Sequence, residues 1–94
     1  MAFLEITLQI APANRPAAVR VYNKYRQAFL ENVPGAQTKS LLVRDADCQV
    51  LHGFDTAADA SQYLASELFT SDVVGELAPL LVAEPEVRIY DEVA

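Results

Sequence analysis

The segment Cys48–Phe69 constrains the fold most, because a strand, a turn and a helix follow one another within it. Residues Cys48–Phe54 alternate with a period of two, so that His52 shares a strand face with Cys48 and Phe54. Thr56 and Asp59 then have the three-residue spacing of a capping box, which opens a helix. The rest of the chain must supply partners for this strand and this helix.

The residues before this segment predict one strand and one helix. Apolar and polar residues alternate over Phe3–Ile10, which is typical of a strand with one buried face. From Pro16 to Val33 the apolar residues recur at helical spacing, with Asn14 as the N-cap and Pro34–Gly35 as the stop signal. The helical stripe consists of Ala18, Tyr22, Tyr25 and Phe29.

Two further strands and a broken helix complete the prediction. Ala36–Arg44 begins with polar residues, as an edge strand does, and the turn Asp45–Asp47 predicts a hairpin with the strand that follows. The second helix should begin after Asp55 and restart at Ser71, where hydroxyl and carboxylate side chains cluster again. Glu86–Val93 predicts the last strand.

The predicted element order is βαββαβ within a single domain, residues 1–94. Right-handed crossovers in both β-α-β units place both helices on one face of a four-stranded antiparallel sheet. The sequence therefore predicts an α+β fold, a ferredoxin-like plait.

Composition excludes several classes of function. Thirteen acidic and seven basic residues give a net charge of −6, which disfavours nucleic acid as a partner. The lone Cys48 allows neither an internal disulfide nor a multi-cysteine metal site, and it fits the reducing cytoplasm. No apolar segment approaches the about 20 residues that cross a bilayer, and the start of the chain does not read as a signal peptide. We expect a cytoplasmic protein without a membrane partner.

The segment HGFDTAADASQYLASELFTSDVV and the later PLLVAEPEVRIYDEV resemble the C-terminal half of a known family. The features that match are Phe54, the helix entry Asp55–Thr56, the spacing from Tyr63 to Phe69, and the strand Val87–Tyr90. On these residues the chain resembles the antibiotic biosynthesis monooxygenase-like proteins of the dimeric α/β-barrel superfamily. The resemblance covers the whole chain in topology and residues 52–90 in pattern.

This resemblance implies a homodimer in which two sheets face each other and close a barrel, with the helices outside. Such a dimer would bury the sheet face opposite the helices, and Leu41 or Leu42, Leu51 and Tyr90 cannot all lie on the helix side. Some members of the superfamily oxidise polyketide-like phenols without a cofactor, and others degrade haem. The haem degraders use a tryptophan and a helix-borne histidine, and the absence of Trp here argues against that activity.

His52 is the candidate catalytic residue, because it alone has an ordinary pKa near neutrality. It could act as a general base or a ligand anchor, or it could be a core or interface histidine held by a hydrogen bond. Tyr22, Tyr25, Phe54 and Tyr63 are candidates for the lining of a pocket that presents hydroxyls to a small aromatic ligand. The alternative for each tyrosine is ordinary core packing.

Other candidate sites are weaker. Cys48 and His52 are separated by about 13 Å of strand rise, too far for a Cys–His pair. One histidine and scattered carboxylates predict no metal site, and no cofactor is expected. Glu5, Thr7 and Gln9 form a polar row that could face a barrel interior or a subunit interface.

Two functional hypotheses remain open. The first is a cofactor-independent monooxygenase that acts on a small aromatic or polyketide-like molecule. The second is a non-catalytic homodimer that binds a small ligand or serves only in assembly. A regulatory amino-acid-binding domain is disfavoured, because the loop Ala11–Asn14 after the first strand lacks glycine.

Overall fold

The computed structural model describes the whole chain, Met1–Ala94. In chain order the elements are β1 (Ala2–Leu8), α1 (Arg15–Asn32), β2 (Ala36–Val43), β3 (Cys48–Phe54), α2 (Ala57–Leu64), a π-helical segment (Leu68–Val73), α3 (Val74–Leu77) and β4 (Glu86–Asp91). Single 3₁₀ turns lie at Pro12–Asn14 and Ala78–Leu80. The strands lie within a few residues of their predicted bounds.

The sheet has the strand order β2-β3-β1-β4, and every neighbouring pair is antiparallel. Both α1 and α2 pack on one face, where Phe29 and Tyr63 join the core with Leu4 and Val50. The predicted ferredoxin-like plait is therefore confirmed. β2 lies at an edge of the sheet, as its polar beginning indicated.

The core follows from strand alternation. On β1, Leu4 and Leu8 are at most 3% exposed on the helix side, while Phe3, Glu5 and Thr7 point to the open face of the sheet. Phe29 from α1 and Tyr63 from α2 meet above the sheet in an edge-to-face contact with 5.0 Å between ring centroids. Each large apolar side chain that folding buries contributes about 1.5–3 kcal/mol.

A β-bulge near the start of β2 reverses the alternation of that strand. Ala36 pairs with Phe54, yet Thr38 pairs with Gly53, so Gln37 is an extra residue. Thr38 consequently lies on the open face beside Gly53, where an added Cβ would collide with the Thr38 Oγ1. The next residue, Lys39, faces the helices.

The helix starts differ in part from the predictions. Thr56 caps α2, since its Oγ1 accepts a hydrogen bond from the Asp59 backbone N–H at 3.1 Å. Asn14 makes no side-chain capping bond and ends the 3₁₀ turn that leads into α1. The predicted restart at Ser71 is wrong. The break lies at Ala65–Ser66, where the Ser66 hydroxyl accepts from the Phe69 N–H at 3.3 Å and so takes the capping role.

None of the helices combines the length and the apolar character that crossing a membrane requires.

Candidate ligand cavity

A cavity lies between the helices and the sheet, in the half of the domain where the π-helical segment and α3 cover β1 and β3. It offers about 70 Å³ for the centres of water-sized molecules, roughly five times what a single water needs. Its walls are almost entirely apolar, as in most small-molecule sites. Aliphatic residues that form them include Ile6, Leu8, Val21, Val50, Val73 and Leu77.

The covering segment has unusual backbone geometry. Residues Leu68–Val73 form a π-helix, a rare conformation that is frequent at functional sites. It places Phe69 and Val73 in the cavity wall. The Ser66 hydroxyl fixes the start of this π-helical segment, because it accepts from the Phe69 N–H and also donates to the Tyr63 carbonyl oxygen at 2.6 Å.

His52 borders the cavity and is 2% exposed. Its Nδ1 lies 3.1 Å from the carbonyl oxygen of Leu4. Because a carbonyl oxygen only accepts, Nδ1 carries the proton and Nε2 is left as the acceptor of the ring. Burial, reinforced by the charge of Lys39, lowers the pKa of His52 to about 4. The imidazole is therefore neutral at physiological pH, and the expectation that His52 titrates near neutrality is wrong.

The three tyrosines of the predicted pocket all border the cavity, but their hydroxyls differ. The Tyr22 hydroxyl donates to the Lys39 carbonyl oxygen at 2.7 Å, and the Tyr25 hydroxyl donates to the carboxylate of Glu76. The Tyr63 hydroxyl is buried and has no partner in the chain. The same burial raises the pKa of Tyr63.

Phe54 does not line the cavity, contrary to the prediction. It is fully buried among the rings of Phe29, His52 and Tyr63, with its ring centroid 5.5 Å from that of Phe29. Its partners across the sheet are Ala2 and Ala36, at the end of the sheet away from the cavity. Its role is core packing.

Lys39 is the cavity residue that sequence reasoning missed. It is only 6% exposed, and its Nζ lies 4.9 Å from the ring centroid of Phe29 and 5.7 Å from that of Tyr22. All three ion pairs of the chain join other residues, so the ammonium has no counter-ion. Desolvation lowers the pKa of Lys39 to about 8. Lys39, rather than His52, is the cavity residue whose pKa lies near neutrality.

At the α1–α3 contact, two neighbouring residues of α1 bond to the two carboxylate oxygens of Glu76. Its carboxylate pairs with the Lys24 ammonium at 3.1 Å and accepts from Tyr25. These hydrogen bonds lower the pKa of Glu76. The arrangement ties α3 to α1 beside the cavity. No group of three His, Cys, Asp or Glu side chains in the chain is arranged to hold a metal ion.

Neither a protein family nor a curated protein matches this sequence. Solved structures do match, over 99–100% of this chain and 89–100% of their own length. A protein of Nitrosomonas europaea, provisionally named an antibiotic biosynthesis monooxygenase, superposes with a TM-score of 0.84 at 11% identity, and the match covers 100% of both chains. Its counterpart of that provisional name from Caulobacter crescentus also gives 0.84, at 17% identity over 99% of this chain and 90% of that one.

The fold is that of the antibiotic biosynthesis monooxygenase-like proteins. A protein of unknown function from Nitrosomonas europaea shares it as well, with a TM-score of 0.80 at 16% identity over 99% of this chain and 89% of that one. The resemblance seen in the sequence is thus confirmed for the fold of antibiotic biosynthesis monooxygenase-like proteins. At these identities the likeness establishes the fold, and the activity has to be argued from the cavity.

Proposed function

We propose that the cavity binds a small aromatic molecule and that the chain, as a homodimer, oxygenates it without a cofactor. The unpartnered Tyr63 hydroxyl carries this proposal. A buried polar group without a hydrogen bond is destabilising by about 1–3 kcal/mol, and buried hydroxyls are nearly always satisfied. A ligand with a polar oxygen would satisfy it, while its ring would lie against the apolar walls.

The size of the cavity favours a molecule with one ring. About 70 Å³ of space for water-sized centres accommodates a substituted benzene better than a fused polyketide. A phenol meets both demands of the site, with an apolar ring and one oxygen to bond. Among the candidate substrates, single-ring phenols are therefore the first to test.

Oxygenation of such a phenol is a balanced reaction with O₂ as the four-electron oxidant. The ring carbon opposite the hydroxyl exchanges its C–H bond for a carbonyl with one oxygen atom of O₂. The phenol oxygen becomes the second carbonyl, and the two hydrogens leave with the other oxygen atom as water. Nε2 of His52 is an acceptor for the phenol proton, and the Tyr63 hydroxyl is a donor to the oxygen that remains.

Oxygen uptake with a panel of single-ring phenols and dihydroxybenzenes tests the proposal. We expect turnover above the uncatalysed oxidation, a loss of about tenfold or more in kcat/KM for Tyr63→Phe, and a comparable loss for His52→Asn. Tyr25→Phe is the matched control, because its hydroxyl already bonds to Glu76. No turnover in the parent protein, or equal turnover in all variants, would refute catalysis by these residues.

The alternative is a ligand-binding homodimer without catalysis. One observation favours it, since an imidazole with a pKa of about 4 is a weak base at neutral pH. Tight binding of phenols without oxygen consumption would select this alternative over the monooxygenase.

The homodimer is supported by the open face of the sheet. Leu42 and Tyr90 are 46% and 49% exposed there, beside Phe3 and Leu51. A second copy packed on this face would remove these side chains from water. Sedimentation should show a dimer at micromolar concentration, and Leu51→Glu should shift it to monomer. Val82→Glu, at an exposed site outside the sheet, is the control. A parent protein that sediments as a monomer would refute the dimer.

A further inference from the structure

The charge of Lys39 has no counterpart inside the cavity. The residues that border the cavity include no Asp or Glu. Besides Lys39, the bordering residues with polar side-chain atoms are three tyrosines, His52 and Cys48. The cavity therefore presents a single full charge, and that charge is positive.

The neighbouring carboxylate cannot supply the missing partner. Glu76 on α3 accepts from Tyr25 and pairs with Lys24 at 3.1 Å. Its two oxygens are thus committed to residues of α1. The Lys39 ammonium instead lies over the rings of Phe29 and Tyr22. Such cation–π contacts stabilise a cation partly, but they leave its hydrogen-bond donors free.

Burial also limits the contact of Lys39 with water. Lysine usually extends its stem along apolar surface and leaves the ammonium in solvent, but this side chain is more than nine-tenths buried. A buried charge without a partner is unfavourable, and an oppositely charged group that enters the same space relieves that penalty. Lys39 therefore offers an unpaired ammonium at an apolar cavity, and an anionic aromatic ligand would complement both.

We propose that the cavity selects the anionic form of a single-ring aromatic molecule, whose carboxylate, phenolate or enolate oxygen pairs with the Lys39 ammonium. This inference rests on the proposed function only in requiring that the cavity takes a ligand. The apolar walls hold the ring, and the charged oxygen forms a charge-assisted hydrogen bond, which is about twice as strong as a neutral one. For a phenol, the phenolate is also the form that donates electrons to O₂ most readily.

Benzoate and benzamide test this selectivity, because they have nearly the same shape and differ in charge. Their dissociation constants should be measured by titration calorimetry or ligand-observed NMR at pH 7 and low salt. We expect benzoate to bind about tenfold tighter than benzamide, a ratio typical of one charge-assisted hydrogen bond in a desolvated site. Lys39→Met, which keeps the length and apolar stem, should abolish the preference and leave benzamide binding within about threefold.

The control variant is Lys24→Met, which removes the other lysine of the chain from an exposed site. It should change neither dissociation constant. The pH dependence of benzoate binding to the parent protein is a second readout. Between pH 7 and pH 9.5 the parent protein should lose benzoate affinity as Lys39 loses its proton. The same profile in Lys39→Met reports any contribution from the groups that face Lys39 or share its cavity, namely Tyr22, Tyr25, Cys48, His52 and Tyr63.

Each outcome decides something. Equal affinity for the two probes in the parent protein, or an unchanged preference in Lys39→Met, would overturn anion selection and leave the ligand-binding proposal intact. Binding of neither probe at millimolar concentration would overturn both. A preference for benzoate that disappears with Lys39 and weakens with rising pH would establish the inference independently of any oxygenase activity.

Discussion

Replacing Lys39 with methionine should stabilise the unliganded protein at neutral pH. Burial lowers the pKa of Lys39 from 10.5 to about 8, a difference that disfavours the charged form in the folded chain by about 3 kcal/mol. The contacts with the rings of Phe29 and Tyr22 offset about 1 kcal/mol of this. Methionine keeps the unbranched stem without the charge, so we expect a gain of about 2 kcal/mol in the free energy of unfolding.

The dependence on pH gives this prediction its sign. Between pH 8 and pH 10.5 the unfolded chain binds more protons at this lysine than the folded chain does, so the stability of the parent protein rises with pH in that window. The advantage of Lys39→Met should therefore be full at pH 7 and should shrink by about 2 kcal/mol by pH 10.

Urea denaturation at pH 7 and pH 10 measures both quantities, with Lys24→Met as the exposed control. The ammonium of Lys24 is ion-paired with Glu76, so its removal should not stabilise the protein. A Lys39→Met variant that is less stable than the parent at pH 7, or whose advantage is equal at the two pH values, would refute the argument from desolvation.

Three further predictions concern stability. The pKa of His52 is lowered from 6.5 to about 4, so its contribution to the free energy of unfolding is complete above pH 6.5 and falls by up to about 3 kcal/mol as the pH drops to 4. In urea titrations His52→Asn should reduce this loss of stability at acid pH, and an unchanged loss would contradict the prediction. Tyr63→Phe removes a hydroxyl without a partner and should leave the free energy of unfolding unchanged or raise it by about 1 kcal/mol. Tyr22→Phe removes a hydrogen-bonded hydroxyl and should lower the free energy of unfolding by about 1 kcal/mol. Equal effects of the two substitutions in thermal melts would argue against this difference. Gly35→Ala should destabilise by about 2 kcal/mol or more, because φ is +77° and the new Cβ would collide with the Asp59 carboxylate. The helical Gly75→Ala, with open space around it, should gain about 0.5–1 kcal/mol, and effects of the same sign for both variants would refute this reasoning.

Sequence patterns were sufficient for the fold because they record which face of each element is buried. The alternation in β1 and β3 and the helical stripe of α1 each identify one apolar face, and short connections leave few ways to join them. The capping pair Thr56–Asp59 was also predictable, because it depends only on residues that are close in sequence. The break after α2 was not, since Ser66 and the later Thr70–Asp72 cluster offer equivalent capping chemistry and tertiary packing selects between them.

The cavity was only partly predictable. Helical spacing indicated that Tyr22, Tyr25 and Tyr63 face the sheet, but spacing carries no information on how far along the sheet each one lies. Phe54 shares a strand face with His52, with 6.4 Å between their ring centroids, and still lies outside the cavity wall. The protonation states of His52 and Lys39 could not be predicted from the sequence, because their pKa values depend on burial within the assembled core.

The bulge at Gln37 has a consequence for how this fold diverges. Because the bulge accommodates Gln37, Thr38 pairs with Gly53 and Lys39 with His52 as they would if Thr38 followed Ala36 directly. Deleting Gln37 would therefore remove the bulge and leave Lys39 on the helix side. The charge of the interior is thus set by the pairing of Lys39 with His52, and the bulge keeps that pairing although one more residue separates Lys39 from Ala36. Two chains with this fold, one with the bulge and one without the extra residue, would therefore place the same lysine in the interior. Comparisons of ligand preference across the fold should align this strand by its pairing with β3 and not by residue identity alone.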